Sequence, residues 1–291
     1  MPKLLSTSEF AAALGVSESS VRRLADAGEL QIHRTRGGHR RIPIPEAVRY
    51  VRATQTRILR PDLLGLEFDP SEVEPKSADE KMLEVLKAGH ASAVISLMQS
   101  LYAGGMGIAE LCDGPVSHAM GEIGAAWPHD KRAIFIEHRA VILCCRALNQ
   151  LRLSIAEPET DAPQAIGGAM SGDRYLLPTL MASLVIHELG FNETNLGPDL
   201  PLDVLMDCVV DEKPALVWLA LAEPVRSRTQ FNEILKLAGV AAECHTYFVV
   251  GGRHASELDR MIGPSATISW DYCETMKCLE AKASRTKFNS K

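Results

Sequence analysis

Phe10-Ala11-Ala12-Ala13-Leu14-Gly15-Val16-Ser17-Glu18-Ser19-Ser20-Val21-Arg22-Arg23-Leu24-Ala25-Asp26-Ala27-Gly28 decides how the N-terminal part of this chain is read. Residues 10–14 make a short helical run that Gly15 ends. Ser17 then caps a second run, Glu18 to Ala27, because its hydroxyl can accept an orphan N–H of the first turn, and acidic Glu18 suits the positive end of the helix dipole. Gly28 is placed as the C-terminal stop. Two short helices about a tight glycine turn form a helix-turn-helix. On the second helix Val21 and Leu24 can pack inward, while Ser19, Ser20, Arg22 and Arg23 are polar. A helix of this kind can enter a major groove, with arginine reaching base edges or phosphates.

The next stretch, Gln31-Ile32-His33-Arg34-Thr35-Arg36-Gly37-Gly38-His39-Arg40-Arg41-Ile42, has extended ends and a Gly-Gly middle, so it reads as a hairpin. A basic hairpin beside a helix-turn-helix can track the phosphate backbone as a wing. The expected DNA contacts are Ser19, Arg22 and Arg23 from the helix and Arg36, His39, Arg40 and Arg41 from the hairpin. Pro45-Glu46-Ala47-Val48 opens a third helix. Leu14-Gly15-Val16-Ser17, Val21-Arg22-Arg23, Gly28-Glu29-Leu30 and Gly37-Gly38-His39-Arg40-Arg41 together resemble the MerR and excisionase type of winged helix-turn-helix. That resemblance covers residues 1–60 and implies a head that binds double-stranded operator DNA. The plainer alternative is a solvated basic face on a small interaction domain.

Charge agrees with the resemblance only when the chain is divided. The 291 residues carry 31 Lys/Arg against 37 Asp/Glu, a net −6. Residues 1–60 hold eleven against five, and the remainder 20 against 32. A basic head on an acidic body is the pattern of a nucleic-acid binder with a separate rear half. With 46% apolar residues the body can bury a core, which excludes wholesale disorder. Seven cysteines, an odd number without a Cys-x-x-Cys pair, fit reduced thiols better than a disulfide frame or a zinc site. No secretory signal and no membrane span are expected, and the cytoplasm is the expected location.

Prolines 61, 70 and 75 mark 61–76 as a linker. Residues 77–157 are almost free of proline and follow a helical period, with breaks expected at Gly104-Gly105 and near Gly121. Residues 164–283 alternate short apolar runs with amphipathic stretches. Ala215-Leu216-Val217-Trp218-Leu219-Ala220-Leu221 is continuous, as a buried parallel strand should be. The expected fold is therefore multidomain: an all-α winged helix-turn-helix head, a four-helix-bundle middle, and a doubly wound, flavodoxin-like α/β domain. Ligands of such sheets sit beyond the carboxyl ends of the strands, where Ser171-Gly172-Asp173 and Gly251-Gly252 fall.

Trp127, followed after nine residues by Glu137-His138, resembles the helical bundle of the cobalamin-dependent, light-sensing transcriptional repressors. The resemblance implies that Trp127 covers the upper face of adenosylcobalamin, that Glu137 and His138 border the same space, and that His138 can reach cobalt once the adenosyl group leaves. Gly172-Asp173, Leu189-Gly190-Phe191, Leu196-Gly197 and Gly251-Gly252-Arg253 resemble the cobalamin-binding domain of those repressors and of methionine synthase. This implies Asp173, Tyr175, Gly251 and Gly252 as cofactor-side residues. The sequence departs from that family's Asp-x-His-x-x-Gly signature, whose histidine ligates cobalt from below. Tyr175 and Pro178 replace its His and Gly, and Ala220-Leu221-Ala222 lacks the serine that lines the slot for the nucleotide tail. A phenol ionises near pH 10, so Tyr175 is a poor substitute ligand. Three readings stay open: cobalamin without lower protein ligation, another ligand, or a ligand-free oligomerisation module.

The function expected from these readings is a non-enzymatic transcription regulator, a repressor, assembling as a dimer or tetramer under control of a ligand or light. A corrinoid carrier for methyl transfer is disfavoured by the missing histidine and by the DNA head.

Overall fold

The computed structural model describes residues 4–69, 75–126, 131–258 and 267–269, and beyond these Tyr272, Glu274, Lys277 and Leu279. It divides into two compact units, Met1–Ala156 and Glu157–Lys291.

In the first unit, β1 (Leu4–Ser6) leads into α1 (Thr7–Leu14). Ser6 and Glu9 form a reciprocal cap: the Ser6 hydroxyl accepts from the Glu9 N–H and the Glu9 carboxylate accepts from the Ser6 N–H. Gly15, at φ 68°, ends α1 in the left-handed region, and the Ser17 hydroxyl caps α2 (Glu18–Asp26) by accepting from the Ser20 N–H. β2 (His33–Arg34) and β3 (Arg40–Pro43) form an antiparallel hairpin, and α3 (Ile44–Thr54) follows. β1 pairs with β3, so the head contains a three-stranded sheet in the order β1-β3-β2 and is not all-α. Leu5 on β1 and Ile42 on β3 join Phe10, Val21, Leu30 and Val51 in one buried cluster.

The expected linker starts later than Pro61. Pro61–Leu64 is a 3-10 turn, and Leu64 and Leu66 are buried in the head core. The N–H groups of Leu59 and Arg60 both donate to Ala13 O, which holds this strap against α1. The physical reason is apolar area: small domains bury a low fraction of their surface, and two more leucines enlarge the core.

Helices α4 (Pro75–Ala88), α5 (Ala91–Ala103), α6 (Ile108–Leu111), α7 (Ser117–Ala125) and α8 (Lys131–Arg152) complete the unit, with α5 packed on α8 and α4 on α7. Gly104-Gly105 separates α5 from α6 as expected. Gly121 does not break a helix; it lies inside α7, whose Ala119 and Ile123 are buried. The irregularity falls instead at Cys112–Val116, a π-type turn containing Pro115, which has no N–H to give the α-helical ladder.

The second unit is a parallel sheet in the order β5-β4-β6-β7-β8, from β4 (Gln164–Ala169), β5 (Asn192–Asn195), β6 (Leu216–Ala220), β7 (Tyr247–Gly251) and β8 (Thr267–Ser269). α9 (Leu176–Glu188) connects β4 to β5, α10 (Leu202–Glu212) connects β5 to β6, and α11 (Arg228–Glu243) connects β6 to β7. Ile186 of α9 packs with Leu216, Trp218 and Val249 on one face. Leu205 and Val209 of α10 and Leu237 and Ala241 of α11 pack with Val217, Leu219 and Phe248 on the other. This is the doubly wound α/β arrangement, with its switch point where β4 has β5 on one side and β6 on the other.

Candidate nucleic-acid interface and ligand site

On α2, Ser19, Arg22 and Arg23 are exposed. Arg22 is held by Glu18 at 2.8 Å, and the Thr7 hydroxyl donates to the same Glu18 oxygen at 2.6 Å. These two partners, Thr7 first and Arg22 second, hold the Glu18 carboxyl below its ordinary value. Arg23 is exposed one residue further along the helix.

In the hairpin, Arg36 and His39 are exposed at the tip, which turns through Gly38 at φ 78°. Arg40 and Arg41 do not act as a pair. Neighbouring residues of a strand face opposite sides, and Arg40 turns towards the end of α2, donating to Asp26 at 2.6 Å with Arg34 4.0 Å from the same oxygen. Arg40 therefore latches the hairpin to α2, and Arg41, opposite His33, is on the other side. A second brace escaped the sequence reading. Buried Glu46 accepts from Arg49 at both oxygens and from the Gln31 N–H at 2.7 Å, and Arg49 also donates to Glu29 O. The Glu46 hydrogen bond raises the Arg49 pKa, so the brace stays charged. Its one legible signal is the three-residue spacing on a helix.

At the carboxyl end of the sheet, Asp173 is 1% exposed. One of its oxygens accepts from the Tyr175 N–H at 3.2 Å, and the other from the Ala222 and Glu223 N–H groups at 2.7 and 3.0 Å. Asp199 accepts from the Gly172 N–H at 2.7 Å, and Gln230 donates to Ser171 O. The loops after β4, β5 and β6 are thus tied to one another by buried or bridging side chains. Asp173 spends its acceptor capacity on backbone. Tyr175 stands at the N-cap of α9 without capping it, and is 44% exposed.

Gly251 ends β7 and accepts from the Leu221 N–H at 2.8 Å. Gly252 has φ 110°, and a Cβ there would lie 2.7 Å from Leu221 O. Gly252 is accounted for by close packing of this loop on the end of β6, and Gly251 lines the slot beside α9. Between α9 and the sheet lies an apolar slot of about 40 Å³, lined among others by Pro178, Trp218, Ala220, Gly252 and Tyr272. The Tyr272 hydroxyl donates to Pro178 O at 2.7 Å. Trp218 is 2% exposed, and its indole N–H has no hydrogen-bond partner among the described residues. Its ring occupies the space over Gly167, where a Cβ would collide with it. Sequence reading took Trp218 as strand core and missed its place in the slot.

Glu137 and His138 are adjacent on α8 with 4.0 Å between carboxylate and imidazole, and the His138 side chain is 74% exposed. Ile134 and Ile142, one helical repeat either side of His138, are exposed with Phe135. Trp127 lies outside the described residues. Among the described residues no group of three metal-binding side chains occurs, and no helix is long and apolar enough to cross a membrane. Cys144 and Cys145 are buried, and burial pushes the Cys144 thiol up to about 12, so both are core residues.

Residues 4–44 match the family described as a helix-turn-helix domain. The head is a helix-turn-helix domain. Among solved structures, the monomethylamine corrinoid protein of Methanosarcina barkeri is similar at 15% identity and TM-score 0.54, over 71% of this chain and 98% of that one. A cobalamin-binding protein from Desulfitobacterium hafniense DCB-2 is matched at 15% identity and TM-score 0.39, over 72% and 98% of the two chains. No curated protein is matched. The first likeness shows a shared fold; function has to be argued from the site.

The residues present fit a tail-anchored, histidine-ligated corrinoid poorly. No imidazole stands at position 175, the Asp173 carboxylate that could orient one is committed to backbone, and the slot has little room.

Proposed function

We propose that this chain is a transcription regulator whose head binds double-stranded operator DNA as a winged helix-turn-helix of the MerR type. Supporting this is a capped helix exposing Ser19, Arg22 and Arg23 beside a basic hairpin that exposes Arg36 and His39 and leaves Arg41 half-buried. The helix reads the major groove and the hairpin tracks phosphates. One small head makes few contacts, so the working form is a dimer or tetramer on paired half-sites. The chain acts by binding rather than catalysis, as a repressor, in the cytoplasm.

The rear half is the sensor. A ligand laid across the carboxyl end of the sheet shifts assembly if the assembly states bind it with different affinity. Its fold is that of a protein named for its corrinoid, which makes corrinoids the first ligands to test, with adenosylcobalamin and a light response as the specific form. His138, exposed on α8 with Glu137 beside it, is the candidate upper-face residue. The crowded slot and Tyr175 favour the second reading, in which the α/β unit takes another ligand or serves assembly alone.

A footprint of the full chain on duplex DNA from its own promoter neighbourhood tests the DNA reading. A protected tract that disappears with Arg23→Ala plus Arg41→Ala is expected. Uniform cleavage along every duplex tried would overturn it. Size exclusion of the full chain with and without adenosylcobalamin, in darkness and after illumination, tests the sensor.

A further inference from the structure

The family that the α/β unit resembles uses the space between its first helix and the sheet to house the nucleotide tail of cobalamin. We infer that in this chain that space is plugged from within, so that the unit takes any corrinoid with its tail outside the sheet. The inference rests on the sensor reading only for the choice of ligand; its geometry is independent of DNA binding.

Volume decides the first step. The slot measures about 40 Å³. A cavity of about 150 Å³ holds one benzene ring, and the benzimidazole of the tail is a fused bicycle. The slot is therefore several-fold too small.

What fills it decides the second step. Trp218 projects from β6 into the α9 side of the sheet, packed with Ile186 and Val249 and seated in the space that Gly167 leaves. Tyr272 closes the same cavity and is fixed by its hydrogen bond to Pro178 O. Pro178 itself stands where the family places glycine, and its ring adds bulk at the mouth. The plug is thus held from the sheet, from α9 and from Tyr272, and opening it requires Trp218 to leave its seat.

The rim decides the third. Three backbone N–H groups converge on Asp173, and the loops after β4 and β6 are joined through it. A tail entering the slot must pass between α9 and the end of β6, next to that junction. Tyr175, exposed at the start of α9, offers a flat aromatic surface rather than a nitrogen ligand.

Corrinoid chemistry supplies a direct test. Cobalamin has its benzimidazole on cobalt in free solution, and insertion of the tail into a protein pulls that base off, with a visible change in absorbance. Cobinamide lacks the tail. The full chain is titrated with hydroxocobalamin and with diaquocobinamide, following absorbance and equilibrium dialysis. The expected result is a base-on spectrum for cobalamin throughout and affinities for the two corrinoids within about threefold. Retention of neither overturns the statement that the unit takes a corrinoid with its tail outside, and leaves the reading of another ligand or of assembly alone. A base-off spectrum, with cobalamin held at least about tenfold more tightly than cobinamide, overturns the inference. Trp218→Ala, if circular dichroism shows it folded, gains about tenfold in favour of cobalamin. A folded variant without that gain counts against Trp218 as the plug. If the variant unfolds, the titration of the native chain decides alone.

Discussion

Arg23, Arg36 and Arg41 in the first unit and Asp173, Gly251 and Gly252 in the second are all motif positions, yet the two sets are used in opposite ways. The head turns its motif side chains outward and keeps its own polar braces, Glu46 with Arg49 and Arg40 with Asp26, at the back and flank. The α/β unit turns its motif residues inward. Asp173 binds three backbone N–H groups, and Gly252 exists to let Leu221 O approach. A motif whose residues stay outward still has a face for a partner. A motif whose residues are consumed by the fold has kept the architecture and given up the polar groups a ligand would use.

The comparison predicts where substitutions hurt stability and where they hurt binding. The largest effect is at Asp173. Its replacement by alanine leaves three part-buried backbone donors without their acceptor and should destabilise the α/β unit by about 3 kcal/mol. For a unit of this size that lowers Tm by about 10 °C, readable by calorimetry of the full chain. An unchanged melt would mean that the carboxylate is not a structural tie. Gly252→Ala comes next: the left-handed backbone and the clash with Leu221 O should cost about 2 kcal/mol. A neutral outcome there would return Gly252 to the list of ligand-facing residues.

Substitutions in the head should spare the melt and change DNA binding. Arg41→Ala should weaken binding about tenfold on every duplex and reduce the salt slope by about one. Arg40→Ala acts differently, because it also frees the hairpin from Asp26. Equal behaviour of the two variants, in melt and in binding, would erase the distinction drawn between the faces of β3. The smallest effect is in acid. Glu18 has a lower pKa folded than unfolded, so its contribution is present above the unfolded value and is lost as pH falls through the folded one. That places the loss below about pH 4.5. Glu18→Gln should flatten that limb of the head's acid melt and leave neutral pH almost untouched.

Much of the head was legible because its signals are local. Gly15, Ser17 and the Gly37-Gly38 turn each act within four residues of themselves. β1 was not, since three residues show no alternation and their pairing partner, β3, is nearly forty residues away. The opposite facing of Arg40 and Arg41 follows from strand period alone, once the hairpin is accepted. In the α/β unit the buried run of β6 announced the parallel sheet, whereas β5, Asn-Glu-Thr-Asn, is a polar edge strand with no apolar signal. The replacements at positions 175, 178 and 220 could be read in sequence. Their consequence could not, because Tyr272 reaches Pro178 across 94 positions and Asp173 reaches Ala222 across 49.

Fluorescence anisotropy of the full chain on a labelled duplex from its own promoter neighbourhood, repeated over a series of salt concentrations, puts the outward-facing head to its plainest test. The two hairpin arginines on phosphates, Arg36 and Arg41, give a log–log slope of roughly −2 per head, steeper if Arg22 or Arg23 also meets a phosphate. A slope of that size, with submicromolar binding at low salt, is the expected result. No binding at low ionic strength, or binding indifferent to salt, would contradict the account.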